Sequence, residues 1–76
     1  MKREILKYHE LTAPEQTAVR EQLLHRINDM EEEQARDAGK PPRPYDINSQ
    51  LLDDMLPDME AERWVDKKGH QHIELL

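Results

Sequence analysis

Two histidines and a glutamate near the end of the chain have a spacing that metal sites can use. His70, His72 and Glu74 alternate along the sequence, so a β-strand would place all three side chains on one face. Imidazole nitrogens and carboxylates are ligands of divalent zinc. A site would need a further ligand, and His9 is the distant histidine with most freedom to supply it. Since this spacing is unspecific, we favour a solvated strand face beside Trp64 and predict no metal and no other cofactor.

Carboxylates are concentrated in the second half of the chain, and paired carboxylates can act as acid and base in an enzyme. The residues concerned are Asp53, Asp54, Asp58, Glu60 and Glu62. Such chemistry needs a water-poor cleft that separates their pKa values, and a chain of 76 residues has little room for one. Cysteine is absent and there are only 2 glycines, so neither a thiol nucleophile nor a glycine-rich phosphate loop is available. We expect a protein that is not an enzyme.

Basic residues suggest a further kind of site. The segment Lys67-Lys68-Gly69-His70, at a turn that follows helices, resembles the wing of a winged-helix DNA-binding domain, and a basic edge would also include Lys2, Arg3, Lys7, Lys40 and Arg43. The helix that would then enter the DNA groove, residues 48–56, carries two aspartates that phosphates would repel. A small winged-helix-like DNA-binding domain is therefore our second alternative, and nucleic acid is not the expected partner.

The overall composition is acidic and polar. There are 17 Asp and Glu residues against 11 Lys and Arg, which gives a formal net charge of −6. This balance permits a first alternative function, an acidic nucleic-acid mimic that inhibits a basic partner protein. No apolar run approaches the ~18 residues that a membrane span needs. The basic N-terminus lacks the apolar core of a signal peptide, so we expect a cytoplasmic protein with no membrane contact.

The clearest element is a first helix over residues 12–38. Thr12 and Glu15 have the spacing of a capping box, and Pro14 suits the first turn. Apolar residues then recur three and four apart, at Val19, Leu23, Leu24, Ile27 and Met30. Gly39 is typical of a helix C-terminus. Residues 31–38 have only alanines to bury, so this end either projects as an acidic arm or frays.

The remaining segments complete a single domain, residues 1–76. Residues 1–11 suit a strand or a helical turn equally, and the prolines of residues 39–46 predict an extended linker. A second helix is expected over residues 47–62, broken near Pro57, followed by a hairpin over residues 63–76 in which Arg63 faces Ile73. The predicted fold is α+β and mainly helical: the long N-terminal amphipathic helix packs antiparallel on the second, proline-interrupted helix, with a short C-terminal β-hairpin.

The second helix has more apolar surface than one short partner helix covers, because its apolar residues spread over more than one face. We therefore expect a small acidic protein-binding accessory or regulatory protein, acting through helix-mediated contacts and forming a homodimer. The expected partner is a protein of unidentified kind. The predicted partner-binding residues are Leu23, Ile27, Met30, Leu52, Met55, Met59, Glu31, Glu32 and Glu33.

Overall fold

One long helix lies against a three-stranded sheet in the computed structural model, which describes residues 2–76. The strands are β1 (Arg3–Lys7), β2 (Glu60–Val65) and β3 (Gln71–Leu75), and the helices are α1 (Ala13–Asp37) and α2 (Gln50–Met55). Two short 3-10 helices, Tyr8–Glu10 and Leu56–Asp58, complete the order of elements. No helix within residues 2–76 is long and apolar enough to cross a membrane.

Residues close in sequence determine both ends of α1. The Thr12 hydroxyl accepts from the Glu15 N–H at 3.4 Å, and the Glu15 carboxylate accepts from the Thr12 N–H at 2.9 Å, so the predicted capping box is confirmed. At the other end Gly39 has φ of 69°, and the Lys40 N–H donates to the Ala35 carbonyl at 2.8 Å. This is the left-handed glycine termination expected after a helix.

The sheet is antiparallel in the order β1-β2-β3, and its inner face covers the first half of α1. Leu6 lies opposite Ala61, and Ala61 lies opposite Leu75. The apolar core contains the inner residues of this row together with the first turns of the α1 stripe and the apolar face of α2. Its buried members are Leu11, Val19, Leu23, Leu52, Leu56, Ala61 and Leu75.

The predicted packing of a long helix on a second helix is wrong, because the sheet takes that place. The N-terminal segment is a strand that pairs along β2, so the C-terminal strands do not form a separate hairpin. Pro57 ends α2 after 6 residues, a length of about 9 Å that is too short to cover α1. Residues 60–62, expected at the end of the second helix, instead begin β2.

The predicted register of β2 and β3 is confirmed, since Arg63 lies opposite Ile73. The turn between them is closed by hydrogen bonds from the Asp66 N–H to the His70 carbonyl at 2.9 Å and from the Gly69 N–H to the Asp66 carbonyl at 3.0 Å. Gly69 has φ of 83°, a left-handed conformation that other residues rarely adopt.

The proline-rich segment packs back along the second half of α1, and we call residues 39–48 the arch. The Asn28 side chain holds it in the middle, accepting from the Tyr45 N–H at 2.7 Å and donating to the Tyr45 carbonyl at 3.3 Å. Nearer the sheet, the Arg20 guanidinium donates to the Ile47 carbonyl at 2.6 Å. The arch is not a free linker, and beneath it the Ala35 side chain is buried.

Candidate partner-binding surfaces

An open apolar groove lies where α1, the arch and α2 meet. Its volume is about 230 Å³, and it is lined by Ile27, Met30, Glu31, Gln34, Tyr45, Leu51 and Met55. We call it the distal groove because it lies on the half of α1 away from the sheet. Met30 is 55 % exposed and Tyr45 is 39 % exposed, so large apolar surface faces water there.

The groove exists because the apolar stripe of α1 is longer than the sheet. Val19 and Leu23 face the sheet and are each 1 % exposed. Arg26 donates to the carbonyls of Leu75 and Leu76 at 3.2 Å each, which marks where the last strand ends beside the helix. Ile27 and Met30 continue the same stripe beyond that point and are covered only in part.

The predicted partner-binding residues fall into separate environments. Leu23 and Leu52 are core residues, 1 % and 0 % exposed, and Met59 is half-buried against the same core. Ile27, Met30 and Met55 meet in the distal groove, with Glu31 at its rim. Glu32 and Glu33 are exposed on α1, and Glu32 lies 3.6 Å from Arg36 in an ion pair. That these residues bind a partner stays a prediction.

Tyr45 is the aromatic residue of the groove that sequence reasoning missed, and the predicted partner-binding residues also lack Gln34 and Leu51. Tyr45 belongs to the arch, most of which the sequence predicts as an extended linker. Its ring reaches the groove because the Asn28 side chain hydrogen-bonds both the N–H and the carbonyl of Tyr45. A lone tyrosine just after a proline-rich run was the available signal, since an aromatic residue in a segment that cannot form a helix needs a surface to pack on.

Mixed charge surrounds the end of α1 and the arch. A second open cleft of about 420 Å³ is lined there by Glu31, Gln34, Ala35, Ala38, Lys40, Pro41 and Arg43. Among residues 2–76, Lys40 and Arg43 form no ion pair, and neither do Glu31 and Glu33. The end of the molecule therefore carries both signs of charge with few internal contacts.

Three of the carboxylates considered for acid–base chemistry, Asp53, Asp54 and Glu62, each contact a different side chain. Asp53 pairs with the Arg20 guanidinium at 2.5 Å, and this hydrogen bond raises the pKa of Arg20. Asp54 accepts from the Gln50 side chain at 3.1 Å, and Glu62 lies 3.3 Å from Arg3. The Asp53 and Glu62 contacts join neighbouring elements, and the Asp54 contact lies within α2.

The histidines near the C-terminus also have intramolecular partners. The His72 ring stacks on Trp64 with centroids 5.1 Å apart, and its Nε2 lies 2.8 Å from Asp66 Oδ2. The hydrogen bond to His72, followed by the His70 N–H, lowers the pKa of the Asp66 carboxyl. In the described part of the chain, no three His, Cys, Asp or Glu side chains form a group that could hold a metal ion.

Comparison with known proteins gives no relative. No protein-family model, no curated protein and no solved structure matches this chain.

Proposed function

We propose that this chain is a small protein-binding accessory protein, and that the distal groove binds a second copy of the chain. The observation that carries this is the exposure of apolar side chains in one continuous groove, above all the 55 % exposure of Met30. Removing a large apolar side chain from water is worth about 1.5–3 kcal/mol, and a two-fold axis doubles each contribution.

The size and shape of the molecule suit such a pairing. A standard interface covers about 800 Å² on each partner. That is about a seventh of the 5748 Å² surface of this chain, and the long axis of 45 Å gives one flank enough length to supply it. A chain of this size gains stability from a second subunit, because its own core is small.

Charge favours a copy of the same chain over a uniformly acidic or basic partner. Lys40 and Arg43 on the arch have no internal ion pair, and the same holds for Glu31 and Glu33 on α1 within the described residues. Two copies with antiparallel α1 helices would bring the arch of each toward the acidic side of the other. Opposite charges at the rim then set the orientation while the groove supplies the burial.

Sedimentation of the native chain and two variants tests the proposal. Met30→Lys places a charge in the distal groove and should shift the population from dimer to monomer. Val65→Lys is the matched control, because Val65 is 46 % exposed on β2, outside the groove. The native chain and the control should both remain dimers at about 50 μM, well above a micromolar Kd. A native monomer at this concentration, or equal effects of the two variants, would contradict the proposal.

The nucleic-acid alternatives have less support. Of the basic edge that the sequence predicts, Arg3 lies 3.3 Å from Glu62 in an ion pair. Ion pairs with Arg20 and Arg3 also offset the charge of Asp53 and Glu62, two of the carboxylates that a nucleic-acid mimic would display. A cytoplasmic location is part of the proposal and rests on the sequence alone.

A further inference from the structure

The outer edge of β3 is closed by a side chain from α1. The Gln22 carboxamide donates to the Ile73 carbonyl at 2.8 Å and accepts from the Leu75 N–H at 2.7 Å. It therefore makes the two hydrogen bonds that a neighbouring strand would make. Arg26 binds the Leu75 carbonyl beside it at 3.2 Å. No further strand can pair at this end of β3 without displacing Gln22.

These contacts also show which backbone groups of β2 point toward β1. In an antiparallel ladder the N–H and carbonyl of one residue point to the same side, and the side alternates along the strand. The backbone N–H and carbonyl groups of Ile73 and Leu75 point away from β2, so those of His72 and Glu74 form the hydrogen bonds to β2. Their partners there, Trp64 and Glu62, point toward β3. The intervening residues of β2 must then bond to β1.

On β1 the same alternation leaves one edge open. Glu4 and Leu6 lie opposite the intervening residues of β2 and bond inward, so Arg3, Ile5 and Lys7 point outward. The Glu10 carboxylate takes the Lys7 N–H at 2.8 Å. Within residues 2–76, the N–H and carbonyl of Ile5 have no partner, and β1 has no neighbour other than β2. Unpaired edge groups of this kind are a template for another strand.

The side chains along this edge specify what strand would fit. Arg3, Ile5 and Lys7 alternate with the inward-facing residues, so they share the outer face of the sheet, and Ile5 is 61 % exposed. Arg3 is held in place over the Trp64 ring at 4.5 Å. A paired strand would meet two cations with an apolar residue between them. Arg3 also lies 3.3 Å from Glu62 on β2, whereas Lys7 forms no ion pair within residues 2–76. A second copy of β1 centred on Ile5 would set Arg3 against Lys7 of the partner subunit, and like charges directly opposite are unfavourable.

We propose that the open edge of β1 binds an extended segment of another protein as a fourth strand, with acidic residues on either side of an apolar one. Backbone hydrogen bonds to Arg3 and Ile5 supply the affinity, and the alternating side chains supply the selectivity. This surface is separate from the distal groove, so either proposal can fail without the other.

Two synthetic peptides and two variants test this edge. One blocked peptide reads Thr-Glu-Thr-Val-Thr-Glu-Thr, and the other has Lys at both Glu positions. Chemical-shift titration of the full chain should show the Glu peptide binding at least about fivefold tighter at low salt. Binding should also slow hydrogen exchange of the Ile5 N–H.

Ile5→Pro removes the outward N–H of β1 and leaves the inward bonds of Glu4 and Leu6 intact. Ile5→Pro should lower the affinity for the Glu peptide by at least about tenfold. The matched variant Ile5→Val keeps the N–H, so its affinity for the same peptide should stay within about twofold of the native value. Equal binding of the two peptides, equal effects of the two variants, or no binding at about 5 mM peptide would overturn the proposal. A native dimer that Ile5→Pro dissociates would also overturn it, because the edge would then hold a second copy.

Discussion

The Arg63 guanidinium binds the Glu15 carboxylate through two parallel hydrogen bonds, from Nε to Oε2 at 2.6 Å and from Nη2 to Oε1 at 2.5 Å. The same carboxylate accepts from the Thr12 N–H as part of the helix cap. Arg63 also lies 3.6 Å from Glu4 on β1. One ion pair therefore joins the start of α1 to the central strand, and its hydrogen bonds lower the pKa of Glu15 to about 2.

Glu15→Gln should destabilise the fold near neutral pH by about 1–3 kcal/mol, because a charged hydrogen-bonded pair is lost while the amide can still cap the helix. The pKa of Glu15 is lowered from 4.5 to about 2 in the fold, so its ionised form stabilises the fold above pH 4.5 and that contribution is lost as the pH falls toward 2. Urea unfolding between pH 7 and pH 2 should show the two proteins converging in acid. Glu10→Gln is the control, since within residues 2–76 that carboxylate accepts from the Lys7 N–H and forms no ion pair. A constant gap across this pH range would contradict the assignment.

Local features of the fold were readable from the sequence, whereas the partner of each apolar face was not. The Thr12–Glu15 cap and the Gly39 end depend on residues a few positions apart, and both are present. An apolar stripe shows that a helix has a buried face but not which element covers it. The pairing of Glu15 with Arg63, 48 residues apart, has no local signature.

The same distinction applies to the candidate surfaces. Ile27 and Met30 are predictable from the sequence as members of the stripe of α1, and both line the distal groove. Leu23 belongs to the same stripe but is buried, because only the position of the sheet decides where exposure begins. The open edge of β1 could not be predicted, because residues 1–11 suit a strand or a helical turn equally. The closure of the other edge, at β3, depends on the Gln22 side chain of α1 and has no local signature either.

Gln22→Ala should open the outer edge of β3. Two hydrogen bonds to the strand are lost, so we expect stability to fall by about 1–3 kcal/mol and hydrogen exchange at the Leu75 N–H to accelerate. Glu21→Ala is the matched control, because Glu21 is the exposed neighbour on the same helix. If the Leu75 amide exchanges at the same rate in both variants, Gln22 does not close this edge.

His72→Ala should raise the pKa of the Asp66 carboxyl toward its ordinary value. The fold lowers that pKa first through the hydrogen bond with His72 and then through the backbone N–H of His70. His70→Ala keeps the backbone donor, so it should move the Asp66 pKa much less. The carboxyl ¹³C chemical shift of Asp66, followed over pH, measures both effects. Equal shifts in the two variants would assign the effect to the turn backbone instead.

Asn28→Ala should release the middle of the arch from α1. The Asn28 side chain makes both hydrogen bonds to the Tyr45 backbone, and the methyl of alanine can make neither. Ala35 would then lose its cover, and residues 31–37, whose adjacent glutamates oppose the helix dipole, would fray. Amide exchange in residues 31–37 should accelerate by at least about tenfold while exchange near Val19 stays unchanged.

Asp29→Ala is the control for this prediction, because Asp29 is exposed and, within residues 2–76, its side chain has no hydrogen bond to the arch. Since Tyr45 forms one wall of the distal groove, the released arch should also weaken self-association measured by sedimentation. Unchanged amide hydrogen exchange in residues 31–37 would contradict the prediction, because the C-terminal turns of α1 would then be stable without the arch. Faster amide exchange with unchanged self-association would instead show that the arch stabilises the end of α1 but does not contribute to binding in the distal groove.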